Sequence, residues 1–363
     1  MRLSSSMWVL MAVAALAAAP APAQMPTFSQ MIAETEHAIQ PPTTAGNAAW
    51  VYIRAWDTLP TDQEKRVKFG EAVGERPKVG EKLTREQREQ LAAHGAYIDG
   101  IMAASQMDHC DWGPRYEEGI MSLLPHLGPL RNSARTLALD ARRCAEDGNG
   151  TLAAERVAAM FRMSRHASAD TIIISSLVGI AIGNFAATVT DELRQQGDLT
   201  PAGARLIRTA LRDVMVKDLY RTGEAVQTER RIVLDWLRRE CKGPDAGRTL
   251  LRHMSILGSM REVGIDLRQH VFFMDEAKLA GELDRTDRFY DAVNLAWGRP
   301  NALAALQELE LQAAEGQHGM VTAGVAAAFS RVRYSTEHSR RTLERLDRTL
   351  SEIIEHNDAG AGK

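Results

Sequence analysis

The chain has 363 residues, of which 45% are hydrophobic and 25% are charged, and its formal net charge is −3. This length supports one large or two modest domains with well-buried cores, so disulfide bonds or metals are not needed for stability. The near balance of charges excludes the strongly basic surface that nucleic-acid binding requires, and we predict no nucleic-acid partner.

Residues 1–23 carry the pattern of an export signal. Arg2 precedes an apolar run from Met7 to Ala19, and Ala21 and Ala23 occupy the small-residue positions that a signal peptidase requires. The apolar run is shorter than the ~20 residues of a membrane span. We therefore predict cleavage after Ala23 and an exported protein, either periplasmic or secreted. The mature chain would carry 43 basic and 47 acidic side chains, a formal charge of −4.

The mature chain shows apolar positions at helical spacing and no sustained alternation, which predicts an all-α protein. Short turns favour antiparallel helical hairpins, packed as an irregular bundle or a short solenoid-like stack. We divide the chain into N-terminal helices with a charged, solvated connection at residues 65–81 (24–82 together), a main helical domain (83–357) and a disordered tail (358–363). Within these, the predicted helical segments are 84–107, 127–147, 151–167, 170–196, 201–240, 246–284 and 301–357.

Residues 171–190 contain no charged side chain and include Gly179 and Gly183, a spacing that lets helices approach closely. We interpret the segment as the buried central helix of a bundle. A membrane span with a dimerising face is the alternative, although Ser175, Ser176 and Asn184 interrupt it and no basic cluster marks a cytoplasmic side. The sequence thus favours burial over contact with a membrane.

An apolar stripe runs along the last predicted helix. Separately, the three cysteines could be free or could form one disulfide. The stripe can seat another helix, either from the same bundle or from a second copy, and leaves the oligomeric state undecided. We expect three buried free thiols, although Cys110 and Cys144 are close enough in sequence to form a disulfide. The stripe consists of Val332, Leu343, Leu346, Leu350 and Ile353.

Residues 110–113, Cys-Asp-Trp-Gly, lie between two predicted helices and form the densest polar and aromatic group in the chain. We interpret them as a sharp corner, in which Asp111 caps an amide, Trp112 fills the core and Gly113 adopts a backbone conformation closed to other residues. Consecutive side chains diverge, so the neighbouring Asp, His and Cys residues do not predict a metal site.

A pocket is the functional alternative for the same segment. In that hypothesis Trp112 and Tyr116 form apolar walls, while Asp111, Glu117 or Glu118 act as acid and base, as paired carboxylates do in glycoside hydrolysis. The short motifs of serine, metal-dependent, nucleotide-binding and dinucleotide-binding enzymes are missing, which lowers the expectation of an enzyme. We predict no cofactor.

Charged groups on two helices could contribute to binding. Arg142 and Arg165 lie on a predicted hairpin of two alanine-rich helices, and they could bind an acidic partner group if they turn inward. For both residues a solvated face is the favoured interpretation. Farther along, Glu224, Glu229 and Arg230 have the spacing of exposed ion pairs on a helix surface.

The chain resembles a family of exported, all-helical bacterial proteins without a known activity. The residues that carry the resemblance are 47–49 (Asn-Ala-Ala), 110–113 (Cys-Asp-Trp-Gly) and 176–182 (Ser-Leu-Val-Gly-Ile-Ala-Ile), and it covers roughly residues 47–240. The resemblance implies export and a helical fold but no activity.

These observations favour an exported scaffold or binding module of the cell envelope. Its partner would be a protein or a small-molecule ligand, and the segment around Asp111, Trp112 and Tyr116 is the first candidate surface. A carboxylate-dependent hydrolase with a site near Asp111 is one alternative. An integral membrane protein that spans at residues 171–190 is the other.

Overall fold

The computed structural model describes residues 24–75, 77–256, 271–325 and 329–361. These ranges contain 15 α-helices, two short 3₁₀ segments (Tyr116–Met121 and Leu219–Arg221) and no strand, which confirms the predicted all-α class. Residues 1–23, the predicted signal, lie outside these ranges. The helices are α1 (Phe28–Glu34), α2 (Ala48–Asp57), α3 (Gln63–Gly74), α4 (Arg85–Ala93), α5 (Gly95–Ser105), α6 (Leu127–Glu146), α7 (Gly150–Ala167), α8 (Ile173–Gln196), α9 (Pro201–Val214), α10 (Thr222–Glu240), α11 (Ala246–Ile256), α12 (Glu276–Trp297), α13 (Ala302–Ala314), α14 (Met320–Val325) and α15 (Phe329–Ala361).

Side-chain caps fix where several helices begin. Thr200 accepts a hydrogen bond from the amide of Gly203, and Pro201 occupies the first turn of α9, where its missing N–H costs nothing. Asn149 caps α7 through the amide of Leu152, directly after the turn that joins α6 to α7. The predicted hairpin of two alanine-rich helices is therefore present.

The segment expected to be a solvated connection is largely a helix. α3 buries Phe69, Ala72 and Val73, although most of its other side chains are exposed. The side-chain amide of Gln87, on α4, donates to the carbonyls of Ala72 (3.2 Å) and Glu75 (2.6 Å) at the end of α3. The sequence did not indicate this helix, because most of its residues are charged or polar and only three apolar positions face the core.

The largest hydrophobic cluster surrounds α7 and includes the N-terminal helices. α7 packs against α5, α6, α8 and α9, and many of its side chains are fully buried. Tyr52 and Trp56 of α2 belong to the same cluster as Leu137 of α6 and Phe161 of α7. Residues 24–82 therefore share a core with the segment that follows them.

The C-terminal half adds two smaller clusters. One joins α10 and α11 to α12 around Trp236, Leu250 and Leu283. The other joins α10 and α12 to α13 and α15 around Tyr290 and Phe329.

α8 lies inside the bundle and not on its surface. By length and composition it is the one helix in the described ranges that could cross a membrane, and 67% of its most apolar window is buried by the rest of the protein. Gly179 and Gly183 receive the ring of Tyr220, because a Cβ built on Gly183 would lie 1.8 Å from the Tyr220 hydroxyl oxygen. At Gly183 the close neighbour is therefore an aromatic ring of the same chain. At Gly179 it is a helix, as the spacing predicted, because a Cβ built there would lie 2.7 Å from the Ser164 carbonyl oxygen of α7.

The apolar stripe of the last helix packs within its own chain, and the cysteines form no disulfide. Val332, Leu343, Leu346 and Leu350 of α15 are buried, and α15 packs on α8, α9 and α13 of its own bundle. α15 continues to Ala361, into the segment expected to be a disordered tail. Cys110, Cys144 and Cys241 are free thiols, and Cys144 and Cys241 are buried as predicted, whereas Cys110 is only partly buried.

Candidate functional site

Residues 110–113 form the predicted corner. The carboxylate of Asp111 accepts a hydrogen bond from the amide of Gly113 at 2.9 Å, and Gly113 has a φ of +60°. Asn47 of the N-terminal segment fastens the corner, since its side chain accepts from the Asp111 amide and donates to the Asp111 carbonyl, both at 2.9 Å. The role of Asp111 in these contacts is therefore to hold the backbone of the corner in its conformation.

Trp112 is a core residue and not the wall of an open pocket. Its side chain is 0% exposed, which corrects its assignment as a binding residue, since no ligand can reach it. Its ring stacks on Tyr52, Trp56 and His126, with centroid distances of 5.7, 5.6 and 4.5 Å. Its indole N–H donates to the carbonyl of His166 at 2.9 Å.

The acidic residues after the corner, Glu117 and Glu118, both pair with Arg115. Glu118 lies 2.7 Å from Arg115 and 2.8 Å from His37. Glu117 is mostly exposed, and a hydrogen bond to its own backbone amide, followed by Arg115, lowers the pKa of its carboxyl. A lowered pKa favours a carboxylate, whereas a general acid requires a raised one. Nothing in these contacts gives Glu117 and Glu118 a shared acid–base role with Asp111.

The two predicted binding arginines have different environments. Arg142 is buried, and its guanidinium donates to the carbonyls of Pro77 (2.8 Å) and Lys78, so it fastens the segment after α3 to α6. Its expected solvated face is thus not observed. Arg165 is more exposed and reaches the Asp108 backbone carbonyl at 3.5 Å. These two side chains do not contribute to a common site.

Tyr116 does reach a buried polar cluster, at the turn between α7 and α8 (residues 168–172, the α7–α8 turn). Its hydroxyl donates to the carbonyl of Asp170, and burial raises its pKa. The carboxylate of Asp170 lies 2.9 Å from His126 Nε2 and accepts from Ser175 at 3.2 Å. Asp170, His126 and Ser175 are all at most 2% exposed.

This cluster does not have the geometry of a nucleophile with its base. The serine and the imidazole both contact the carboxylate, whereas a catalytic triad requires the imidazole to contact the serine hydroxyl. Neither ring nitrogen of His126 makes a hydrogen bond within the described ranges, although Nε2 lies 2.9 Å from Asp170, and the second carboxylate oxygen of Asp170 makes none either. The cluster's contacts instead hold the α7–α8 turn from inside the protein.

The α7–α8 turn and the segment that precedes α10 both contain strained backbone. Thr171 has a φ of +52°, a conformation that β-branched residues rarely adopt, and Tyr220 and Arg221 have φ values of +54° and +53°. The side chain of Thr228 donates to the Thr171 hydroxyl at 3.3 Å. The Arg221 guanidinium donates to the carbonyl of Ala169 at 2.9 Å. Contacts from α10 and from the segment before it therefore hold the α7–α8 turn in this conformation.

Glu229, also at this turn, does not form the exposed ion pair that its helical spacing predicted. Its carboxylate accepts from the amide of Ile173 at 3.3 Å, at the start of α8, and burial raises its pKa to about 7. The expected exposed pairing is made by its neighbour Arg230, which binds Asp287 and Asp291 on α12. The partners of Glu229 are more than 50 residues away along the chain, so helical spacing alone could not reveal them.

A cleft lies on another part of the surface, between α3, α6 and α8 (the α3–α6–α8 cleft), with a volume of about 190 Å³. Val73, Leu139 and Val189 contribute apolar walls, and Arg135 and Arg142 contribute positive charge. Arg135 is exposed, and its one side-chain hydrogen bond within the described ranges goes to Asn132, at 3.3 Å. Glu192 also lines the cleft and has an interaction partner of its own.

The described ranges show no metal site, and the comparisons with known proteins show no family. No group of three or more His, Cys, Asp or Glu side chains in those ranges could hold a metal ion. No protein-family model, curated protein or solved structure matches the chain, so its resemblance to the exported helical family stays a prediction.

Proposed function

We propose that the protein is an exported, α-helical binding module of the cell envelope, and that the α3–α6–α8 cleft receives a small apolar group with an acidic end. The observation that carries this proposal is the combination of apolar walls and positive charge in that cleft. Binding sites for small molecules are typically concave and largely apolar, with a few polar groups that fix orientation.

The dimensions of the cleft limit the ligand class. A volume of about 190 Å³ is below that of sites for drug-sized molecules and is similar to that of cavities that accept a single aromatic ring. An aromatic ring or a short acyl chain therefore fits the apolar part. Arg135 has the charge and the exposure to pair with a carboxylate at the mouth.

Calorimetric titration with 4-phenylbutyrate tests the cleft, with 4-phenylbutylamine as a probe of equal size and opposite charge. We expect the acid to bind with a dissociation constant on the order of millimolar and the amine to bind more weakly. Arg135→Ala should weaken the acid severalfold, because it removes the exposed charge. Ala138→Phe should block both probes, since residue 138 lines the cleft.

The matched control is Arg131→Ala, which removes an exposed arginine from the same helix outside the cleft lining. Equal affinities of the acid for wild type, Arg135→Ala and Ala138→Phe would contradict the proposed cleft. Thermal denaturation of each variant distinguishes lost binding from lost folding.

Export is tested separately, by the mass of the mature protein after cell fractionation. We expect a chain that begins at Gln24 in the envelope or the medium, and release of that chain when membranes are washed at alkaline pH. A full-length chain that begins at Met1 and stays in the cytoplasm would contradict the predicted signal. Retention in washed membranes would favour a span at residues 171–190.

A carboxylate-dependent hydrolase is the second candidate, supported by one observation. Glu229, with a pKa near 7, lies beside the strained α7–α8 turn that Tyr116 also contacts. A pKa near neutrality suits a general acid or base, and strained backbone often accompanies active sites. Turnover of any substrate in a broad hydrolase panel, abolished by Glu229→Gln but not by Glu71→Gln, would support it. Activity that survives Glu229→Gln would exclude this carboxyl.

A further inference from the structure

An exposed line of basic and aromatic side chains runs along the outer face of α15. Its members are separated by alternating intervals of three and four residues, which places them on one side of a helix. All six are exposed, and Tyr334 is 58% exposed. We name this line the α15 ridge, and it consists of Arg331, Tyr334, His338, Arg341, Arg345 and Arg348.

Most of the positive charge of the ridge has no ion-pair partner among the described residues. Residues 331–348 contain six arginines and three acidic side chains, and the next two positions at the same spacing, Glu352 and Glu355, are exposed acids that end the positive line. Asp347 is bound by Arg208 and Arg212 of α9, at 2.9 and 3.2 Å, on the side that faces the bundle. Of the four ridge arginines, Arg341 alone has an ion pair in the described ranges, at 3.6 Å from Glu337. The ridge is thus a positive surface on a chain of slightly negative net charge.

The shape and composition of the ridge restrict its partner. At 1.5 Å per residue it extends for roughly 26 Å along a single helix. A specific protein interface typically buries about 800 Å² per partner around an apolar and aromatic centre. The ridge offers one exposed tyrosine and no exposed aliphatic side chain. Its regular charge instead suits a surface whose anionic groups can rearrange to meet each arginine.

We propose that the α15 ridge docks the protein on an anionic phospholipid surface. Arginines near such a surface each raise partitioning by roughly fivefold, through attraction to lipid phosphates. Tyrosine is favoured at the level of the headgroups, where its ring and hydroxyl meet different surroundings. The ridge shares no residue with the lining of the α3–α6–α8 cleft.

Sedimentation of the mature chain with lipid vesicles tests this proposal. We expect binding to vesicles of equal parts phosphatidylglycerol and phosphatidylcholine, no binding to phosphatidylcholine alone, and weaker binding as salt increases. The double variant Arg341→Glu and Arg345→Glu should lose about tenfold or more in partitioning. Its matched control reverses two exposed arginines elsewhere, Arg85→Glu and Arg131→Glu, and should bind like wild type.

Three results would overturn the proposal. They are equal binding to neutral vesicles, equal binding of the ridge variant and its control, and binding to soluble polyglutamate without binding to vesicles. The last would indicate an acidic protein as the partner. Titration of the ridge variant with 4-phenylbutyrate separates this test from that of the cleft, because its outcome does not depend on the ridge.

Discussion

Single residues at the corner show how far local chemistry determines structure. Asp111 and Gly113 perform the predicted roles because both depend on the backbone within two residues. Asn47, which fastens the same corner, lies 64 residues before Asp111. No pattern in the sequence reveals such a partner, so the shape of the corner could be predicted but not its attachment.

Gly113→Ala should destabilise the protein by about 2 kcal/mol or more, since positive φ disfavours alanine. The added Cβ would also lie 2.0 Å from the carbonyl oxygen of Gln40. Urea denaturation measures the change in unfolding free energy. Gly70→Ala, within α3 and with no atom within 4 Å of the new Cβ, serves as the control and should stabilise by up to about 1 kcal/mol. Equal effects of the two changes would contradict this account.

Glu229 gives stability a specific dependence on pH. Its pKa in the folded protein is about 7, above the ordinary glutamate value of 4.5, so the folded state holds the proton more tightly. Stability therefore decreases as pH rises through this window, because the unfolded carboxyl ionises first. The penalty above pH 7 is below about 3 kcal/mol, since partial access to solvent screens the charge.

Glu229→Gln should therefore become more stable relative to wild type as pH rises from 5 to 8. Comparing the two proteins at each pH cancels other titrations, including that of His166, whose pKa burial lowers to about 4. Urea unfolding across the pH series measures the difference. Glu71→Gln, which changes an exposed carboxyl on α3, should show no such trend. A constant difference between wild type and Glu229→Gln would disprove the assignment.

At the scale of one element, α8 shows which information is local and which is not. Twenty consecutive positions without charge predict a buried helix correctly, because burial of an unpaired charge is unfavourable. The pair Gly179 and Gly183 also predicts a close approach. The approaching group could not be inferred, because Tyr220 reaches the helix from a 3₁₀ segment with an unusual backbone conformation.

Gly183→Ala should destabilise by about 1–3 kcal/mol through overpacking against the buried Tyr220 ring. Tyr220→Phe removes the hydroxyl oxygen that lies nearest to the new Cβ, so the alanine should cost less in that background. A double-mutant cycle in urea measures this coupling. Gly281→Ala on α12, where the added Cβ meets nothing, provides the control. Additive effects of Gly183→Ala and Tyr220→Phe would show that the Tyr220 hydroxyl is not the obstacle.

At the scale of the whole molecule, the sequence predicts helices better than it predicts which of them share a core. A charged stretch between residues 65 and 81 suggests a boundary, yet Tyr52 and Trp56 before it pack with residues of α6 and α7 after it. The second candidate site, at the α7–α8 turn, could not be predicted from the sequence for the same reason. His126, Asp170 and Glu229 come from separate segments, and only the fold brings them to the α7–α8 turn.

Deletion of residues 24–82 should therefore prevent stable folding of the remainder. The deletion removes Tyr52, Ile53 and Trp56, all at most 2% exposed, and uncovers the apolar surface beneath them. Limited proteolysis measures the result, with rapid cleavage expected in the truncated chain. Removal of residues 357–363 alone is the control and should leave the digestion pattern unchanged. A protease-resistant fragment 83–363 would show that the main segment folds alone.

The parallel rings of Trp56 and Trp112, with centroids 5.6 Å apart at an interplanar angle of 5°, have an optical consequence. Two indoles this close share their electronic excitation, and exciton coupling gives paired bands of opposite sign in circular dichroism whose amplitude is set by how far one ring is rotated in its plane relative to the other. One indole belongs to α2 and the other to the corner. The amplitude of that couplet would therefore report, without any added label, whether the N-terminal helices are docked.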